Sequence, residues 1–172
     1  MAKRIIIGII VSIVIILGFV LIPNRQENPK RILLDTQQQP TPIEDQTVDR
    51  KASFAIFTNG TFRVFTASMY HNLSEDVFIQ ADNPNLVHVK KAGVTWNDFF
   101  STLPFKLTTD CLITGTNETF CTGNRGTLKF YLNSERTENV LDQEIQNGDR
   151  LLVSFGTESE ATLKQQLDKI PK

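Results

Sequence analysis

Four side chains in this sequence are of the types that do chemistry: Cys111, Cys121, His71 and His88. The two cysteines are the whole complement of thiols, and the two histidines the whole complement of imidazoles. Two readings of the cysteines are open. If Cys111 faces Cys121 across a hairpin, a disulfide closes a loop of about eleven residues, which the chain-entropy treatment values at roughly 2.8 kcal/mol. The other reading is a redox or metal-binding thiol pair. Such pairs draw on a helix N-terminus or a Cys-x-x-Cys spacing to lower the thiol pKa. Here nine residues separate the cysteines, within a strand–turn–strand pattern. His71 and His88 lie near Glu75, Asp76 and Asp82. Two histidines and a carboxylate could ligate copper or zinc, but the spacing follows no diagnostic pattern.

Other chemistry is not signalled. The sequence has no G-x-S-x-G, no H-E-x-x-H and no cysteine with an adjacent general base. Thr122–Gly126 is glycine-containing but lies between two strand patterns, so it reads as a turn and not as a phosphate loop. No cofactor is implied. The formal charge is −1, the pI is near 6.1 and there is no basic stripe, so nucleic acid is not an expected partner.

The elements that position these residues start from a helix at Gly93–Pro104. Thr95 is placed as N-cap with Asp98 three residues on, a capping-box pattern. Val94 and Phe99 form a hydrophobic staple around it. Trp96, Phe99, Phe100 and Leu103 share one helical face. Pro104 ends the run. The segments around it read as strands, so the aromatic face is expected against a sheet. Leu128 and Phe130 from one strand, and Leu151 and Val153 from the last, complete the expected core.

Along the chain, Met1–Arg4 is a short basic tip. Ile5–Ile22 is an eighteen-residue apolar run, spanning roughly 27 Å as a helix, close to a bilayer core. No small-residue cleavage site follows it, so it reads as a single-pass signal-anchor and not a removed signal peptide. Residues 23–50, rich in Pro and Gln, read as a spacer. Residues 51–156 read as one extracytoplasmic α+β domain, and residues 157–172 as a polar, potentially helical tail. The short N-terminal tip and a bridged cysteine pair both favour a domain outside the cytoplasmic membrane.

Within the domain, Asn59-Gly60 between two apolar runs predicts a hairpin. Val77–Ile79, Leu86–Lys90, Thr127–Asn133 and Arg150–Phe155 predict strands, and Val140–Ile145 a further short one. A second hairpin pairs Cys111 with Cys121, Leu112 with Phe120 and Ile113 with Thr119 around Gly115–Asn117. Asn59, Asn72 and Asn117 each begin an N-glycosylation sequon.

This order of a hairpin, a strand, a helix and closing strands resembles a β-grasp fold, a mixed sheet wrapped on one short central helix. Leu128–Asn133 followed by Ile145–Val153 resembles the end of ubiquitin-like and sulfur-carrier domains. It is closer to the extracellular DUF4430 and SLBB modules, including the C-terminal domain of cobalamin carriers. Those pair a strand ending in Asn-Gly with a final Gly-Asp-hydrophobic strand; here Ser134 replaces the Gly. A narrower resemblance, over about residues 52–170, is to a group of membrane-anchored bacterial and archaeal proteins, some labelled disulfide isomerases. It is carried by Phe57–Gly60, Met69–His71, Val87-His88, Gly93–Thr95, Asp98–Phe100, Cys111, Cys121 and Asn147–Arg150. Members of that group often carry His-x-His pairs, and Lys90 stands where the partner of His88 would be. The sulfur-carrier role needs a terminal Gly-Gly, whereas Gly156 is followed by a tail.

These readings lead to a membrane-tethered, non-catalytic binding or scaffolding module for another envelope protein or a ligand. The alternatives are thiol-disulfide or Cu/Zn handling through Cys111, Cys121, His71 and His88, and, by the resemblance, a cobalamin-like small-ligand binder.

Overall fold

The computed structural model describes residues 46–172. The expected anchor at 5–22 and the spacer through residue 45 lie outside that range. Among the described residues no helix is long and apolar enough to cross a membrane.

The described chain is α+β. Its elements are β1 (Thr47–Thr58), β2 (Thr61–Phe62), β3 (Val77–Phe78), β4 (Leu86–Lys91), α1 (Trp96–Thr102), β5 (Lys106–Leu107), β6 (Cys111–Ile113), β7 (Thr119–Cys121), β8 (Thr127–Leu132), β9 (Glu135–Arg136), β10 (Arg150–Gly156) and α2 (Glu160–Asp168). The main sheet runs β3-β4-β1-β10-β8-β9, with β2 beside the end of β1. Its central pair, β1 and β10, is parallel, from Ser53 opposite Arg150 to Thr58 opposite Phe155. The flanking pairs are antiparallel. A smaller antiparallel sheet, β5-β6-β7, stands apart from it.

The sequence explains the central pair. From Ala52 to Thr58, and from Leu151 to Gly156, every residue is buried. Mostly apolar runs of this kind, broken here only by Ser53, Thr58 and Ser154, suit strands covered on both faces. One face packs on α1. There Phe54 meets Phe65, Phe99 and Phe100 at ring-centroid distances of 5.2, 5.3 and 5.8 Å. Trp96, Phe99, Phe100, Leu103, Leu128, Phe130, Leu151 and Val153 all belong to this one buried cluster. The capping box of α1 is complete: Asp98 N donates to Thr95 Oγ1 at 3.1 Å, and Thr95 N donates to Asp98 Oδ2 at 2.8 Å.

The opposite face carries a smaller cluster of Ala55, Phe57, Leu152 and Ile170, with Phe62, Tyr131 and Leu167 packed on it. So the polar tail is part of the fold. α2 runs over this second face, burying Leu163 and Gln166.

Two expectations need revision, and one further hairpin is added. β1 starts at Thr47, before the boundary placed at residue 51. Its polar first turn is held where Arg50 Nη1 donates to Glu144 Oε1 at 2.6 Å and Ile145 O at 3.0 Å. The strand expected over Val140–Ile145 is a 3-10 turn at Val140–Asp142. Val140, Leu141 and Ile145 are buried from a turn, and an apolar run this short carries no periodicity to separate the two geometries. Finally, β8 folds back into β9 through Asn133 and Ser134, both at positive φ (53° and 74°).

The Asn-Gly-Asp motif has a structural role here. Asp149 accepts from Gln146 N at 2.9 Å and from Asn133 Nδ2 at 2.9 Å, while Asn133 Oδ1 accepts from Arg150 N at 3.0 Å. The motif thereby locks two turns together. The three sequon asparagines, Asn59, Asn72 and Asn117, all stand at positive φ (50°, 52° and 63°), which accounts for that residue type at each position.

Candidate functional site

The bridged hairpin forms in the expected register. Cys111 is opposite Cys121, Leu112 opposite Phe120 and Ile113 opposite Thr119. The two sulfurs are bonded, and no free cysteine is present among the described residues. Thr108 brackets the first cysteine: Cys111 N donates to Thr108 Oγ1 at 3.0 Å, and Thr108 N donates to Cys111 O at 2.8 Å. The tip of this hairpin closes on the loop after α1. A side-chain carbon at Gly115 would lie 2.8 Å from Pro104 O, so only glycine fits there.

The histidines are engaged separately. His71 Nε2 lies 2.8 Å from Phe65 O. A carbonyl only accepts, so Nε2 carries the proton and the ring pins the segment from Phe65 to His71. His88 stacks on Phe78, with centroids 5.2 Å apart and planes at 7°. Burial holds its pKa below the ordinary range, and Lys51 and Lys90 repel the proton further. Lys90 itself pairs with Asp49 at 2.6 Å. Among the described residues no group of three or more His, Cys, Asp or Glu side chains could hold a metal ion.

A predominantly apolar concavity lies elsewhere among the described residues, between the segment after β2 and the small sheet. Phe62, Val64, Phe65, Met69, Phe105 and Leu112 line a groove of about 390 Å³. Two of these, Val64 and Met69, are 63% and 53% exposed, two of the few large apolar side chains that face solvent among the described residues. Phe65 and Tyr70 meet edge to face at 5.2 Å, and Phe65 meets Phe105 at 5.9 Å, giving the groove a rigid aromatic floor. Arg63 ties its two walls. Its Nε donates to Thr58 Oγ1 at 2.6 Å, its guanidinium stacks 5.1 Å over Phe120, and Nη1 pairs with Glu118 at 3.5 Å.

The chain matches no model of a known protein family, no curated protein and no solved structure.

Of the residues singled out by chemistry, the structure joins Cys111 to Cys121 and puts His71 behind the groove as a post. It leaves His88 on β4, at the edge formed with β3. The groove has no counterpart among the residues singled out by the sequence. Its walls come from Phe62–Tyr70 and Phe105–Glu118, which are remote in sequence. The local sign is apolar residues beyond the short β2: Val64 follows the strand and Met69 sits in a 3-10 turn at Ser68–Tyr70.

Proposed function

We propose that this chain is a membrane-tethered, non-catalytic binding module. Its β-grasp-like domain is held outside the cytoplasmic membrane by the apolar run 5–22, and it engages an apolar ligand or an apolar segment of an envelope protein. The parallel central pair with antiparallel flanks and one helix across the core face supports the β-grasp reading. The groove carries the functional reading. Ligand sites are concave, largely apolar and typically 300–1,000 Å³, with a few polar groups at the rim. This groove has that size and lining, with Arg63, Glu118 and Thr116 at its border. An exposed Val64 and Met69 over an aromatic floor lose water on occupation, the ordinary driving force of such contacts.

The cysteines and histidines support this reading as structural parts. The disulfide stiffens the hairpin that supplies one wall, and His71 braces the other. Thiol exchange would require that bridge to open under native conditions.

A titration with the apolar fluorophore 1-anilinonaphthalene-8-sulfonate tests the reading. The wild-type domain is expected to bind about one equivalent with blue-shifted emission. Val64→Asp with Met69→Asp is expected to weaken that binding at least about tenfold. Absence of binding, or equal binding by the double variant, would contradict the groove as the site.

A further inference from the structure

We propose that Asn59 and Asn117 are modification sites, each carrying an N-linked oligosaccharide on its side-chain amide. Both begin a sequon, Asn59-Gly60-Thr61 and Asn117-Glu118-Thr119, with no proline in the middle. Their positive φ accounts for the asparagine at each turn, but not for the threonine two residues on. Asn59, Thr61, Asn117 and Thr119 are all exposed. Main-chain bonds hold each asparagine in place: Asn59 N donates to Phe155 O at 2.7 Å, and Asn117 N to Thr114 O at 2.9 Å. Among the described residues, no protein group bonds the two side-chain amides or the two threonine hydroxyls.

Other asparagines show what structural use looks like. Asn85 Nδ2 donates to Phe54 O at 3.0 Å, Asn133 Nδ2 donates to Asp149 Oδ1 at 2.9 Å, and Asn147 Oδ1 accepts from Lys51 N at 3.0 Å. None of these three begins a sequon. The remaining sequon, Asn72-Leu73-Ser74, is explained by the fold. Ser74 Oγ accepts from Asp76 N at 3.2 Å and from Val77 N at 3.4 Å, at the start of β3. Asn72 is therefore not one of the proposed sites.

The two sites belong to the two walls of the apolar groove. Asn59 leads into Thr61 and Phe62 on one wall, and Asn117 stands between Thr116 and Glu118 on the other. Sugars there border the exposed Val64 and Met69. The donor is an oligosaccharide carried on a lipid phosphate, and a transferase outside the cytoplasmic membrane moves it. Asn Nδ2 bonds to the anomeric carbon of the sugar, and the bond from that carbon to the phosphate oxygen breaks. The lipid phosphate leaves with the electron pair, and one amide proton passes to a base of the transferase. Nothing is oxidised or reduced. The inference rests on the proposed placement of the domain outside that membrane.

Intact native cells are treated with a membrane-impermeant amine reagent, and the full chain is then purified from their membranes and mapped by peptide mass spectrometry. Label on Lys51 and Lys106, both exposed, reports the domain as outside. Sugar mass is expected on Asn59 and on Asn117. Thr61→Val and Thr119→Val keep the asparagine that each turn needs, and each should strip the sugar from its own site alone. Thr61→Ser and Thr119→Ser should retain it. Labelled lysines with a bare Asn59 or Asn117, or sugar that survives the valine variants, overturn the proposal and leave the placement of the domain standing. Unlabelled lysines with bare asparagines contradict the placement itself, and this inference with it.

Discussion

The two faces of one sheet are covered by two helices of opposite quality. α1 is shorter, with seven residues, yet it buries Trp96, Phe99 and Phe100 under a complete capping box, with Trp96 Nε1 its one buried polar atom lacking a partner. α2 has nine residues and an N-cap at Ser159, yet it buries Leu163 beside a Gln166 amide with no partner. Length and capping therefore do not decide how firmly a helix is held. What decides is the match between its inner side chains and the sheet. The α1 face is aromatic on both sides and ties the domain together. The α2 face mixes apolar and polar residues on both sides, with Ser154 on the sheet and Gln166 on the helix. The first holds the larger buried cluster, and the second a smaller one.

The contrast predicts unequal responses to truncation. Phe99→Ala should lower global stability by about 3–5 kcal/mol, as expected for a buried aromatic in a filled core. It should shift the denaturant midpoint of every region together. Leu163→Ala should lower it by about 1 kcal/mol or less, because truncation cannot cost more than docking itself contributes. If the two variants cost the same, the distinction between the two faces fails.

The bridge comes next. Reducing Cys111–Cys121 should cost about 2.8 kcal/mol. It should also weaken fluorophore binding, since the hairpin is a wall of the groove. Alkylation of either cysteine in native, unreduced protein would argue instead for a working thiol pair.

Caps sharpen the comparison at smaller scale. Thr95→Ala removes the hydroxyl that receives Asp98 N and should cost about 1 kcal/mol globally. Ser159→Ala removes the equivalent group from α2, where Thr162 N donates to Ser159 Oγ at 3.3 Å. Its effect should be confined to α2, visible as a faster local exchange with an unchanged global midpoint.

The smallest effect is one of pH. His88 is harder to protonate in the fold than in the unfolded chain, first because it is buried and then because Lys51 and Lys90 repel the added charge. Stability is therefore full above the ordinary histidine value, roughly 6.5, and falls as pH drops through the lower folded value. Glu144 adds a loss of the same sign at more acid pH, because the Gly93 N–H and Arg50 favour its charged form. His88→Gln should flatten the stability profile between about pH 7 and 5 and leave the lower limb intact. An unchanged slope in the wild type and the variant would exclude His88 as its source.

Much of the fold was legible in local signals. The capping box, the Asn59-Gly60 turn and the register of the bridged hairpin each depend on residues close in sequence, and each formed where those residues placed it. What was not legible depends on distant partners or on atypical residue use. The β8–β9 turn places Ser134 at a positive φ where glycine is the usual signal. Val140–Ile145 has strand-like composition, but its apolar side chains reach the core from a turn. The groove could not be read at all, because Val64 and Leu112 meet only after both sheets have formed. Cys111 and Cys121 were legible as a pair, while the separate structural duties of His71 and His88 were not.

Site-resolved amide hydrogen exchange on the intact chain tests the division of the two faces most directly. Amides of α1, β1 and β10 are expected to exchange only through global unfolding. Those of α2 should exchange through a local opening at least about a hundredfold faster, with no loss of protection in the sheet. If α2 amides exchange as slowly as those of β10, both helices belong to one cooperative core and the division of the two faces is wrong.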